Sequence, residues 1–243
     1  MILLELVHQL RRRLDDMGGD TGTVPAGSTY YWEADDSGCL WKNDSDLVQY
    51  LSSAQTELAR RVPLRDNAFP LIPITANKAR YDIDPLILAI DSAVLGSTGL
   101  PLLKLSDAKD RNQNLEGDLT FANPTEVKYY RTDFDEYILT LYQTPIAADT
   151  LKLSVRRLPL EPFAWADRTS QEAEHADQYL DALLDWATSL AFRKRDADTQ
   201  NIELAGFYQG AFSDSVGPRI SFAHAAKLKD VAGVRLRTRA QWN

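Results

Sequence analysis

Apolar residues recur along this chain with two different periods, and the switch between them predicts its layout. Leu3, Leu6, Val7, Leu10 and Leu14 stand three or four apart, with Arg11 to Arg13 near the end of the run and Gly18-Gly19 beyond it. That spacing predicts an amphipathic helix whose cations complement the carbonyl end of its dipole and which stops at the glycines. A second stripe, Leu47, Leu51, Ala54 and Leu58, follows Asn43, Asp44 and Ser45 and closes at Arg60-Arg61 and Pro63. Any of the three polar residues can accept from the free amides of a first turn, so a helix of about 17 residues is expected.

Between Pro63 and Pro162 the period becomes two. In TLKLSVRRL, Leu151, Leu153 and Val155 alternate with Lys152, Ser154 and Arg156, the mark of a half-buried strand. Residues 86–95, 100–106, 126–131 and 137–143 read the same way and are separated by Pro, Gly, Asn and Asp, which predicts antiparallel turns. The polar run 107–114 reads as a loop or a single helical turn. Helical spacing returns over 172–195, with Tyr179, Leu183, Trp186, Ala187 and Leu190 on one face. A last helix is expected over 198–214, with Ile202, Ala205 and Phe212 inward, Phe207 and Tyr208 available to a neighbour, and Gly217-Pro218 as its stop.

The order helices, strands, helices predicts an α+β fold: a bundle of N- and C-terminal helices with an inserted antiparallel β unit and an extended C-terminal arm. The expected divisions are 1–63, with a glycine-rich loop at 18–40, then 64–162, 163–215 and the arm 216–243.

Composition adds an asymmetry. The chain of 243 residues carries a formal charge of −8, yet residues 216–243 hold six cations against the single anion Asp230. The arm is therefore +5 and the first 215 residues −13. An acidic body repels phosphate, and a basic arm seeks an acidic mate. No stretch has the roughly 18 apolar residues of a membrane span, and the N-terminus lacks the charge order of a signal peptide, so no membrane association and a cytosolic location are expected. Cys39 is the only cysteine, which excludes an intrachain disulfide and a cysteine zinc site.

Candidate chemistry is sparse. The run FRKRDADTQN places Arg193, Lys194 and Arg195 against Asp196 and Asp198. A hydrolase with Asp196 and Asp198 as metal ligands is conceivable, but the two lack His, Glu or Gly at ligand spacing. Punctuation between helices explains the run better: cations at one carbonyl end, and Asp196 or Asp198 capping the next helix. His8, His175 and His224 stand far apart in no recognisable motif, and no phosphate-binding glycine pattern occurs. The pairs Asp15-Asp16 and Asp35-Asp36 read as loop charges. No cofactor is expected. Tyr129, Tyr130, Tyr137 and Tyr142 could form a sugar-binding face, although strand aromatics more often pack across strands. Trp41 and Trp186 are expected to anchor the helical core. Tyr30, Tyr31 and Trp32 have no assigned task, and Trp242 is a candidate anchor in a partner's pocket.

Four stretches carry a resemblance: LWKNDSDLVQYLSSAQTELARRVP (40–63), RYDIDPLILAIDSAVL (80–95), LYQTPIAADTLKLSVRRLPL (141–160) and LDALLDWATSLAFRKRDADTQNIELAGFYQGAFSDSVGPR (180–219). Together they resemble the head-to-tail adaptor proteins of tailed bacteriophages. The resemblance implies a non-enzymatic virion protein assembled in the host cytoplasm. It implies a ring, commonly of twelve neighbouring copies, mounted beneath the portal protein, contacting a tail or nozzle protein and passing DNA through its channel without specific binding. It also implies that the arm docks on the portal, which would engage Arg219, Lys227, Lys229, Arg235, Arg237, Arg239 and Trp242. In such a ring, Arg193, Lys194, Arg195, Asp196 and Asp198 could pair between subunits. The competing expectation is a glycan- or receptor-binding virion module that uses the tyrosines.

Overall fold

The structure is a computed structural model, and it describes residues 1–16, 44–67, 71–105, 127–133, 137–142, 144–194 and 199–219. Among these, the chain forms two compact units, Met1–Leu64 with Pro159–Arg219 and Arg65–Leu158. The fold is α+β, as the two periods predict.

The first unit is built from α1 (Leu3–Arg13), α2 (Asp44–Arg61), α3 (Leu180–Phe192) and α4 (Ile202–Val216). Helix α3 is central, and α1, α2 and α4 all pack on it. It can take three neighbours because its sequence, LDALLDWATSLAF, is apolar round most of its circumference. The predicted stripes meet there: Leu3, Leu6 and Leu10 of α1, Leu47, Leu51 and Leu58 of α2, and Leu183 and Ala187 of α3 form one buried cluster. Each fully buried leucine contributes about 1.5–3 kcal/mol, which outweighs the modest intrinsic propensity of these short helices. Trp186 packs at the edge of this cluster, whereas Trp41 lies outside the described residues.

Three boundaries differ from expectation, each for a local reason. Helix α1 stops before its glycines. Asp15 takes a left-handed conformation (φ 52°), its N–H donates to the Arg12 carbonyl at 3.2 Å, and the Asp16 N–H donates to the Arg11 carbonyl at 3.0 Å. This is a Schellman closure that uses aspartate where glycine is usual. The expected helix from 172 is α3 only from Leu180. Before it, Ile2 bridges to Glu172, the Leu3 N–H donates to the Gln171 carbonyl at 2.8 Å, and Asp177–Tyr179 form a 3₁₀ turn. The polar segment thus gives its backbone to the N-terminus instead of a helix. Finally, α4 is capped by Asn201, whose side chain accepts from the Leu204 N–H at 3.0 Å, and not by Asp196 or Asp198. Gly217, with φ 80°, ends α4 as expected.

The second unit is an eight-stranded sheet: β1 (Leu64–Asp66), β2 (Leu71–Ile74), β3 (Arg80–Asp82), β4 (Ile87–Leu95), β5 (Pro101–Lys104), β6 (Tyr129–Asp133), β7 (Ile138–Tyr142) and β8 (Asp149–Arg157). Its order is β1-β8-β4-β5-β6-β7-β3, and β2 also pairs with β8. The long strands β4 and β8 pair antiparallel from Ile87↔Arg157 to Leu95↔Leu151. Leu151, Leu153 and Val155 are buried, which is the face their alternation predicts. Arg156 pairs with Asp91 at 2.9 Å and Arg157 with Asp66 at 3.1 Å. The β5–β6 pair is parallel and short, the one departure from antiparallel pairing among the registers seen. Strands β1, β2 and β3 escape the sequence reading because three or four residues cannot display a period, and Pro73 stands within β2.

Candidate interaction surfaces

Most of the residues singled out for docking lie outside the described residues: Arg195, Asp196, Asp198, Lys227, Lys229, Arg235, Arg237, Arg239 and Trp242, and also Tyr30, Tyr31 and Trp32. Three are placed. Arg193 follows the last turn of α3 and donates to the Gln209 side chain of α4. Lys194 reaches Asp46 of α2 at 3.1 Å. Both cations therefore tie the end of α3 to its neighbours within the chain. Arg219 is exposed just past Pro218.

The four tyrosines do not form one face. Tyr130 is 1% exposed and sits in the sheet core, while Tyr129 stands directly across from Tyr142. The second arrangement is the cross-strand packing pair expected of strand aromatics. Burial, and then the charge of Asp91, pushes the Tyr130 phenol up to about 12. An unfolded tyrosine ionises near 10, so below about pH 10 both states hold the proton and stability is unaffected. Between about 10 and 12 only the folded state holds it, and stability falls as pH rises. Compared by alkaline denaturation, Tyr130→Phe is expected to lack a loss of roughly 1–2 kcal/mol that wild type shows across that window. Equal pH slopes in the two proteins would show that the phenol is solvated.

His175 is buried and its Nε2 lies 3.2 Å from the Val62 carbonyl, a structural contact. Among the described residues no group of three or more His, Cys, Asp or Glu side chains is placed to hold a metal ion.

Two apolar surfaces stand out, of which the first was not legible in the sequence and the second was anticipated only through Phe207 and Tyr208. The first is a groove of about 360 Å³ in the β unit, where the β4–β5 turn, the start of β6 and the segment before β8 converge. Leu100, Leu103 and Ile146 stand 60–61% exposed along it. Asp149 fixes its edge, accepting from the Ser97 N–H at 3.0 Å, the Ser97 hydroxyl at 2.5 Å and the Thr150 N–H at 2.7 Å. Partial burial raises that carboxyl, but these hydrogen bonds outweigh it and hold it below the usual carboxylate range. Gly96 lets the turn close on β8: its N–H donates to the Thr150 carbonyl at 2.7 Å, and a Cβ there would come within 2.1 Å of the Thr150 hydroxyl. The second surface is α4. Ala205 and Phe212 are buried as expected, but Ile202, expected inward, is 72% exposed. The Asn201 N–H is bonded to the Phe192 carbonyl at 3.0 Å, so Ile202 opens α4 beside the very end of α3 and has no helix to pack on.

Exposed apolar surfaces of this kind suit a protein that works by contact. A family model described as SU10 adaptor protein matches residues 1–238. The chain belongs to the SU10 adaptor protein family. No curated protein matches it. As an SU10 adaptor it is a phage structural protein, a virion component that works through contacts with other phage head or tail proteins, and its family is not an enzyme class. No helix among this adaptor's described residues is long and apolar enough to cross a membrane.

Proposed function

We propose that this SU10 adaptor is a head-to-tail connector. Copies assemble side by side into a ring, commonly of twelve, under the portal protein at the capsid vertex. The ring joins that vertex to a tail or nozzle protein and forms part of the channel through which DNA passes. The observation that carries the reading is the family match over residues 1–238, on a chain divided into a −13 body and a +5 arm.

The charge division supports each half of the role. An acidic channel wall repels phosphate, so the duplex slides instead of being held in the salt-dependent way of a basic lining. The basic arm, with Arg219, Lys227, Lys229, Arg235, Arg237 and Arg239 ahead of Trp242, suits docking on the portal, with the tryptophan as a terminal anchor. With Arg193 and Lys194 engaged within the chain, Arg195, Asp196 and Asp198 are left to contribute register between subunits more than stability, since exposed pairs supply about 0–1 kcal/mol each. The glycan-binding alternative has less support, because the buried Tyr130 has no face to offer a sugar.

Deletion of residues 220–243 tests the docking half while keeping α4 and its Gly217 stop. Mixed with purified portal, wild type should co-sediment as a ring complex and the truncated chain should not. Equal co-sedimentation of the two would remove the arm from the interface.

A further inference from the structure

Helix α4 ends in a joint whose sequence is loose and whose surroundings hold it. Gly217 has φ 80° and ψ −179°, a region that is essentially open to glycine alone, and Pro218 follows it. A Cβ built on Gly217 meets nothing within 4 Å, so the glycine is needed for its backbone angles and not for lack of room. Left to itself, such a residue samples many directions. Here both of its polar groups are engaged. The N–H donates to the Ser213 carbonyl at 2.9 Å, and the carbonyl accepts from the Arg61 guanidinium at 2.8 Å. The second contact governs direction: a peptide group is planar, so the orientation of the Gly217 carbonyl sets ψ and, with it, where Pro218 begins. The proline ring then holds the next φ at about −65°. One hydrogen bond from the end of α2 therefore sets the course of the chain at the root of the arm.

Arg61 is itself held. Its Nε donates to the Glu57 carboxylate at 3.4 Å, and the Nη1 that reaches Gly217 also donates to the Ser213 hydroxyl at 3.0 Å. The guanidinium lies 4.5 Å from the Phe212 ring centroid and 5.6 Å from that of Trp186, and the side chain is 9% exposed. The contacts to Ser213 and Phe212 already tie α2 to α4, whereas the one to Gly217 acts on the chain beyond the helix. We propose that Arg61 is a positioning residue for docking: it fixes the direction in which the basic arm leaves the bundle, so that the arm meets the portal already aimed. The inference rests on the docking reading of the arm. A joint ordered only at the moment of docking would cost conformational entropy that a joint ordered beforehand does not. A lysine could supply the charge at position 61, but not a donor group that bonds Gly217 and Ser213 while lying over an aromatic ring.

The experiment titrates purified portal with the full chain and reads co-sedimentation, under conditions where every variant is folded by circular dichroism. Arg61→Met keeps the long apolar stem and removes the donors. Gly217→Ala disturbs only the backbone angles, and D-alanine placed at 217 by semisynthesis restores them, since its preferences mirror those of the L form. Arg61→Met and Gly217→Ala should each dock about tenfold more weakly, and the D-alanine protein should dock like wild type. Spin labels at Ser53 and Arg219, in a Cys39→Ser background, read the joint without portal. Their distance distribution should be narrow in wild type and the D-alanine protein and broad in the other two. If deletion of 220–243 abolishes docking but Arg61→Met docks like wild type, the positioning role is overturned and the arm remains the docking element. Equally narrow distances in all four proteins overturn it too. Docking weakened in Arg61→Met but not in Gly217→Ala would assign the loss to the arginine's charge, and so would overturn the joint. A deletion that docks like wild type would remove the docking reading itself, and the role of Arg61 with it.

Discussion

Replacing Asp16 with alanine is expected to destabilise the helical unit by about 3–5 kcal/mol, the usual cost of breaking a buried ion pair from one side. Arg11 and Asp16 are 1% and 3% exposed, and the guanidinium donates to the carboxylate at 2.9 Å. The backbone brings them together. With Asp15 in the left-handed region, the chain turns back over the last turn of α1 and carries the Asp16 side chain to Arg11. Truncation leaves a buried cation without this carboxylate, and the alanine methyl supplies no counter-charge. The sign of the effect reverses when both partners go. Arg11→Met with Asp16→Leu should recover most of the loss, because apolar groups of similar volume avoid the desolvation that the pair had to overcome. Urea unfolding followed by circular dichroism reads both numbers. A loss below about 1 kcal/mol for Asp16→Ala would place the pair among solvated surface bridges.

Asp16 also shows where a linear reading fails. Beside Asp15 and just ahead of Gly18-Gly19, it looks like one of two loop charges, and only the left-handed Asp15 reveals that it is buried. The stripes of α2 and β8 were legible because each presents one face to one core over enough residues to repeat. The segment 172–179 was not, since its structure depends on pairing with Ile2, 170 positions away in the sequence. The candidate surfaces divide in the same manner. Phe207 stands out as an aromatic facing away from the stripe of its own helix. The groove is assembled from turn residues of three separate segments, and no local pattern announces it. Charge is the coarsest signal: a basic arm on an acidic body needs no fold to be recognised, and what the arm docks on is a matter for the deletion experiment.

Phe212→Ala should cost about 3–5 kcal/mol, and the loss should be concentrated in α4. Phe212 and Ala205 are the buried residues of that helix, so Phe212 is its one large apolar anchor. Its ring lies 4.8 Å from that of Trp186 at a 45° tilt, and the Arg61 guanidinium sits 4.5 Å from its centroid. The same arginine donates to the Ser213 hydroxyl at 3.0 Å and the Gly217 carbonyl at 2.8 Å, which pins the end of α4 to the end of α2. Removing the ring leaves a cavity between α3 and α4 and strips the cation of its aromatic face. Phe212→Leu, which fills most of the space but offers no π-face, should cost less. In hydrogen exchange the α4 amides of Phe212→Ala should lose protection while α1 and α2 keep theirs, because α4 packs on α3 alone among the helices with extensive contacts. Uniform loss across all four helices would instead make α4 an integral part of a single cooperative bundle.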